Sequence, residues 1–110
     1  MAKYETTMKT DFDRLLEYCN HAILSGSMSA SLEDGSDFTV DEVRVAVRVY
    51  ERFSMVGNNR LSLNLTLVGT KGEVALSAIT SGGSEAMFFK INTIGEGSFL
   101  NNFVRALRDY

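Results

Sequence analysis

Strict alternation of apolar and polar residues is the strongest pattern in the chain. Residues 43–49 hold a valine at every second position, and residues 61–67 hold a leucine at every second position. A third run, residues 74–78, alternates in the same way. Successive side chains of a strand point to opposite faces, and β-branched residues suit a pleated surface. The pattern therefore predicts three antiparallel strands, each with one buried face.

The loop lengths between these strands predict which residues share the buried face. Placing the odd-numbered valines beside the odd-numbered leucines requires an odd number of loop residues, and the residues around Gly57 offer three. The next hairpin must then be even, with Leu67 opposite Val74 across residues 69–72. We therefore expect the odd-numbered valines and leucines to form one buried face together with Val74 and Leu76.

Further strands are predicted on either side of these three. A turn at residues 81–84 leads to a strand in which Met87, Phe89 and Ile91 face residues 78, 76 and 74. Alternation over residues 27–32 predicts a short strand, residues 33–37 are typical of a turn, and a bulge or break is expected near residues 41–42. Residues 4–8 predict one more strand.

Two segments carry the helical period instead. Apolar residues recur at spacings of three and four over residues 12–23 and again over residues 99–107, which predicts two amphipathic helices. Thr10 or Asp11 can cap the first helix, and Gly26 can end it. An antiparallel sheet that is apolar on one side needs a covering layer. The sequence thus predicts one α+β domain over residues 1–110. Its order is strand, helix, a meander of about five strands, and helix. Both helices lie on one face of a curved antiparallel sheet.

Composition limits the classes of function. The 110 residues carry a net charge of −3, and this mild acidity argues against a nucleic-acid or anionic-membrane partner. The single cysteine excludes an intrachain disulfide. No apolar run approaches the roughly 20 residues needed to span a bilayer, and the first ten residues lack a signal-peptide stretch. We therefore expect a cytoplasmic protein with no membrane partner.

Catalytic and metal-binding constellations are sparse. Cys19 and His21 lie two residues apart on a predicted helix, so their side chains diverge by about 200° and cannot form a catalytic pair. One histidine and one cysteine leave only carboxylates as metal ligands, and the acidic segment 33–42 lacks the spacing of a calcium loop. The glycine-rich segments lack a phosphate-binding motif. We expect no cofactor, no metal site and no catalytic residues, the alternative being an enzyme that relies on carboxylates alone.

Cationic and aromatic side chains share the strand face that the alternation places outward. These residues are Arg44, Arg48, Tyr50 and Arg52, and the predicted register adds Phe88. Arginine and tyrosine are favoured interface anchors, and exposed apolar side chains beside them promote association. A solvated sheet face is the alternative. We expect a non-enzymatic binding or interaction module that self-associates through this face as a homodimer.

Glu51 suggests a second function. The same alternation places this carboxylate on the buried face, where it is costly unless it is paired. Either the strand end twists out of the core, or Glu51 lines a pocket under the C-terminal helix with a raised pKa. Such a pocket would have Tyr4, Phe53 and Met87 in its wall, and the protein would then carry a small-molecule ligand.

Several motifs resemble a known family. They are Tyr50-Glu51-Arg52-Phe53, the loop Ser81-Gly82-Gly83-Ser84, the run Ala86-Met87-Phe88-Phe89-Lys90, Asn92-Thr93 and Gly95-Glu96. With these motifs, about half of the chain resembles a family of small uncharacterised bacterial proteins, mainly from Gram-positive anaerobes. The resemblance implies no assigned activity and no site residues. The element order resembles the TATA-box-binding-protein-like and helix-grip folds, in which a curved antiparallel sheet embraces a long C-terminal helix.

Overall fold

A five-stranded antiparallel sheet carries two helices on one of its faces, which confirms the predicted α+β class. The computed structural model describes residues 1–54, 59–82 and 89–110. The elements in chain order are β1 (Ala2–Met8), α1 (Phe12–Ser25), β2 (Ser31–Val40), β3 (Val43–Ser54), β4 (Asn59–Thr70), β5 (Glu73–Gly82) and α2 (Phe89–Arg108). The sheet is open, with strand order β1-β5-β4-β3-β2. Neither of the helices in these ranges has the length and apolar character to cross a membrane.

Helix α1 forms as the sequence predicts. The Asp11 side chain accepts a hydrogen bond from the backbone N–H of Arg14 at 3.0 Å, which satisfies one of the free donors of the first turn. At the other end, the N–H of Gly26 donates to the carbonyl of Ala22. The apolar stripe packs into the core, where its buried residues are Phe12, Leu15, Cys19 and Ile23.

The even-numbered residues of β3 face the helices, so the predicted common face of odd-numbered valines and leucines is wrong. Ser54 pairs with Asn59, which leaves four residues between the partners instead of an odd number. Tyr50 consequently lies opposite Leu63, and its side chain is fully buried. Val47 lies opposite Thr66, on the other face of the sheet from the leucines.

Three arginines of β3 face the helices, and each can do so because its guanidinium group reaches a partner. The Arg44 guanidinium lies 4.3 Å from the centre of the Phe12 ring, and the Arg52 guanidinium lies 4.7 Å from that of Phe99. The Arg48 guanidinium, with its side chain 18% exposed, forms an ion pair with Asp37 at 3.0 Å. Long stems that pack along apolar surface let each charged group reach a partner at the margin of the helical layer.

Strand β1 lies beside β5, in the position where the sequence predicts the strand with Met87, Phe89 and Ile91. It pairs with β5 so that Tyr4 lies opposite Ala78. Phe89 and Ile91 belong to α2, so the strand predicted for them is wrong, and Met87 lies outside the described residues. The connected meander therefore has four strands, β2 to β5.

The hairpin between β4 and β5 has an even number of loop residues, as predicted, but its register is shifted by two residues. Leu67 faces Leu76 instead of Val74.

Strand β2 includes the segment that was predicted as a turn. Residues 34–37 pair with β3, and the register shifts between Leu32 and Asp34. The break expected near residues 41–42 is the turn between β2 and β3. A two-residue turn brings Val40 opposite Val43, and Asp41 adopts a φ of 55° within it. Aspartate is one of the few residues with side chains that tolerate this region. All ten residues of β2 are exposed, so this edge strand projects beyond the helical layer.

Gly69 provides a test of the packing between α1 and the sheet. A Cβ atom at this position would overlap Cδ2 of the buried Phe12 ring and lie 3.1 Å from Cε2. We expect Gly69→Ala to lower the free energy of unfolding by about 1–3 kcal/mol, because overpacking forces neighbouring groups apart. Urea denaturation measures this change. The cost should shrink in a Phe12→Leu background, and an equal cost there would mean that the ring contact is not its cause.

Candidate interface on the outer sheet face

Apolar side chains cover much of the sheet face that points away from the helices, which we call the outer face. These residues are Phe38, Val40, Val43, Val45, Val47, Val49, Phe53, Val68, Ala75 and Ile79. Phe38 is 50% exposed, Val68 is 38% exposed and Ile79 is 37% exposed. Soluble monomers rarely leave a large contiguous apolar patch in water. The outer face is therefore the strongest candidate for a binding surface.

The strand registers arrange the outer face into rows across the sheet. One row runs from β2 to β1 through Phe38, Val45, Val68, Ala75 and Thr7. Side chains in such a row are direct neighbours, about 4.5–5.5 Å apart at Cβ. The row therefore changes from a bulky aromatic side chain at the β2 edge to small side chains on β5.

A hollow of about 340 Å³ lies where the side chains of the outer face are small. Its lining includes Thr66 and Val68 of β4, Ala75 and Ser77 of β5, and Glu5 of β1. The hollow is open to solvent on the outer face. It has the size and partly apolar lining to receive one large side chain of a partner.

Two pairs of polar side chains on the outer face have their partners within it. Glu51 forms an ion pair with Arg60. The hydroxyl groups of Ser62 and Ser81 share a hydrogen bond of 2.9 Å, which joins β4 to β5. Polar groups that already have partners lose less when a surface is taken out of water. These two pairs are thus compatible with burial in an interface.

The residues predicted for the interface lie on the other side of the sheet. Arg44, Arg48, Tyr50 and Arg52 face the helices, and Phe88 lies outside the described residues. The prediction that this set forms an outward surface is wrong, because the register between β3 and β4 differs by one residue from the assumed one.

The predicted pocket residues are not brought together. Tyr4 lies on the helix side of β1, whereas Glu51 and Phe53 lie on the outer face of β3. Met87 lies outside the described residues. The hollow enclosed by Arg52, Phe99 and neighbouring residues of both helices measures about 10 Å³. That is the room of about one water molecule, so this hollow does not accommodate a ligand.

The reactive side chains inside the core are held in their neutral forms. Burial raises the pKa of the Cys19 thiol to about 12, so the thiolate needed for nucleophilic attack does not form near neutral pH. Burial also raises the pKa of Tyr50 to about 12, and its hydroxyl donates a hydrogen bond to Asn20 Oδ1 at 2.7 Å. Across the described ranges, no three histidine, cysteine or acidic side chains converge to hold a metal ion.

Sequence comparisons identify the family of the chain but no function. No curated protein matches the chain. The model of a family of unknown function, DUF6054, matches residues 1–110. This finding agrees with the resemblance of the motifs to an uncharacterised family. The chain therefore belongs to the DUF6054 family of proteins of unknown function.

Proposed function

We propose that the protein is a non-enzymatic interaction module that forms a homodimer through its outer face. The observation that carries the proposal is the exposure of Phe38, Val40, Val68 and Ile79 on the face opposite the helices, at 37% to 60% each. Burying these side chains against a partner removes apolar surface from water, which favours association. Apolar and hydroxyl side chains predominate on the outer face, and such groups suit binding better than chemistry.

The size of the outer face suits a second copy of the chain. Five strands at about 4.8 Å and ten residues at about 3.3 Å give a surface of about 800 Å². Stable protein interfaces bury about 800 Å² on each partner. Two sheets can pack face to face at about 10 Å with interdigitating side chains. A symmetric pair of these faces therefore provides enough area for a stable dimer.

The charge of the sheet edge favours contact through the face over contact through the edge. Strand β2 is an exposed edge, but it carries Glu33, Asp34 and Asp37 and no basic residue. Two copies of β2 paired antiparallel would bring these carboxylates close together, and like charges opposite each other destabilise strand pairing. Charged residues on edge strands are a common protection against edge-to-edge association. The outer face has no such concentration of one charge.

The chemistry of the single cysteine is consistent with a cytoplasmic location. Cys19 is buried and reduced, and no disulfide supports the fold. Its fully buried thiol is shielded from partners, so a dimer of this chain would not depend on a disulfide. Free thiols persist in the reducing cytoplasm. The proposed dimer is accordingly a non-covalent one.

Sedimentation velocity over a wide range of protein concentrations tests the proposal. The wild-type protein should pass from monomer to dimer as the concentration rises. Val68→Glu places a charge on the outer face and should weaken the dimer by about tenfold or more. Leu32→Glu is the matched control, because Leu32 is similarly exposed, at 44%, but faces the helix side of β2.

Two outcomes would contradict the proposal. A wild-type protein that stays monomeric up to submillimolar concentration would exclude a stable dimer. Equal effects of Val68→Glu and Leu32→Glu would show that association, if present, does not use the outer face. Circular dichroism of both variants establishes that the fold is retained, since both sites are exposed.

A further inference from the structure

We propose that, in the dimer, Phe38 of each copy inserts into the hollow around Ala75 of the other copy. This inference rests on the proposed function, because it requires two copies to meet through their outer faces. It goes beyond that proposal by fixing the axis of the dimer and the residues that meet. The row registers, the size of the side chains and the position of two charges each support it.

The strand order determines which strands can meet across a two-fold axis. A symmetric dimer presents the same surface from both copies, so each contact occurs twice. An axis that lies between the two sheets, parallel to the strands and midway between β3 and β4, superimposes the apolar centres of the two faces. This axis places β2 of one copy over β5 of the other, and β3 over β4. Because the axis runs along the strands, residues of one row meet residues of the same row.

Side-chain sizes are complementary in the row that contains Phe38. Phe38 meets Ala75 of the second copy, and Val45 meets Val68, since these residues occupy the mirrored positions of the row. Phe38 is half exposed, and the hollow of about 340 Å³ lies beside Ala75. The Phe38 ring of each copy thus meets the hollow beside Ala75 of the other copy, so the contact occurs twice. Alternation of large and small residues across facing layers is what permits close packing.

Charges are complementary in a second row, two rows along the sheet from that of Phe38. Asp34, Val49, Asn64, Ile79 and Lys3 form this row from β2 to β1. Under the same axis, Asp34 of one copy lies over β5 of the other, one strand away from Lys3. A separation of about 4.8 Å between neighbouring strands is within reach of the lysine side chain. Each dimer would therefore have two Asp34–Lys3 ion pairs at its margins.

The twist of the sheets leaves these contacts in reach. Packed sheets cross at about 30°. At a distance of one and a half strand spacings from the axis, about 7 Å, this rotation displaces a row by about 4 Å, or one residue. The Phe38 ring spans such a displacement, and the hollow extends over several residues of β4 and β5.

Thiol cross-linking tests the arrangement without removing Phe38. Ser36 of β2 and Ser77 of β5 lie in the row next to that of Phe38 and Ala75, and both face outward. Within one chain they are three strand spacings apart, about 14 Å. Across the axis their Cα atoms are about 10 Å apart, the spacing of packed sheets, which is within reach of a short, rigid bismaleimide. In Ser36→Cys/Ser77→Cys, this reagent should bond one thiol from each copy and give a covalent dimer.

The control pair is Thr39→Cys/Ser77→Cys, because Thr39 lies on the same strand but faces the helix side. We expect the Ser36/Ser77 pair to form covalent dimer about tenfold faster than the control pair, or more, on denaturing gels. Phe38→Ala should weaken the non-covalent dimer about tenfold or more, the loss expected for one buried aromatic side chain.

The outcomes separate this inference from the proposed function. If the wild-type protein dimerises in sedimentation but the Ser36/Ser77 pair cross-links no faster than the control, the arrangement is wrong and the dimer remains. If Phe38→Ala leaves the dimer unchanged, the insertion of Phe38 is wrong. If the wild-type protein is monomeric, both proposals fail together.

Discussion

Tyr50→Ala is expected to lower the free energy of unfolding by about 3–5 kcal/mol, the range for truncation of a large buried aromatic side chain. Tyr50 is fully buried between the sheet and α1, and its hydroxyl donates to Asn20. Truncation leaves a cavity in the core and removes the partner of the Asn20 amide oxygen. Val49→Ala, one residue away, should cost only about 1 kcal/mol, because Val49 is half-buried on the outer face.

Urea denaturation at low protein concentration, where the protein is monomeric, measures both changes. The comparison tests the orientation of β3 directly, since neighbouring residues of a strand point to opposite faces. If Val49→Ala were the more destabilising variant, the odd-numbered valines would be the buried set. The assignment of the outer face, and with it the proposed dimer, would then be wrong.

The sequence predicts the wrong orientation for β3, and the reason is physical. Alternation identifies the residues that share a face, but it does not say which face is buried. The valines suit a core, whereas the opposite face carries three arginines, which favoured the wrong choice. The arginine stems pack along apolar surface, and Arg48 reaches Asp37 while Arg44 reaches Asp13. The predicted orientation of β3 depended on the length of the loop between β3 and β4. A change from three to four loop residues turns the opposite face of β3 towards the helices.

Sequence patterns predicted the structure correctly where a segment's own residues determine it. The α1 stripe, the cap at Asp11 and the even hairpin between β4 and β5 follow from nearby residues, and all three were predicted. The neighbour of β5 depends on a contact between distant parts of the chain. Met8 lies opposite Val74, and no local pattern distinguishes this pairing from the expected hairpin. Long-range pairing is the part of a sheet that a single sequence specifies least clearly.

The start of α2 and the course of β2 were missed for related reasons. Alternation around Phe89 and Ile91 favoured a strand, and glycines at positions 95 and 97 weakened the helical pattern. Residues 33–37 contain acidic residues, serine and glycine, which are typical of turns. As an edge strand with all ten residues exposed, β2 needs no buried face and therefore shows no apolar alternation over those residues.

Alkaline pH is expected to destabilise the protein through two buried groups. The pKa of Cys19 is raised from 9.0 to about 12 and that of Tyr50 from 10.0 to about 12, in both cases mainly by burial. Above pH 9 the unfolded chain releases protons that the folded protein retains, so rising pH favours the unfolded state. The stabilisation is complete below pH 9 and is lost as pH approaches 12. Between its pKa in the unfolded chain and its pKa in the folded protein, each group lowers the free energy of unfolding by about 1.4 kcal/mol per pH unit.

Two variants show which side chain causes each part of the loss of stability at alkaline pH. Cys19→Ala should remove the decline that begins near pH 9, and Tyr50→Phe should remove the part that begins near pH 10. Tyr50→Phe also loses the hydrogen bond to Asn20, so at pH 7 it should be less stable by about 1 kcal/mol. Its stability curve should approach that of the wild type as pH rises. Urea midpoints at several pH values between neutrality and pH 11 measure these curves. Equal slopes in all three proteins would show that neither side chain is kept neutral by the core, contrary to the burial of both side chains between α1 and the sheet.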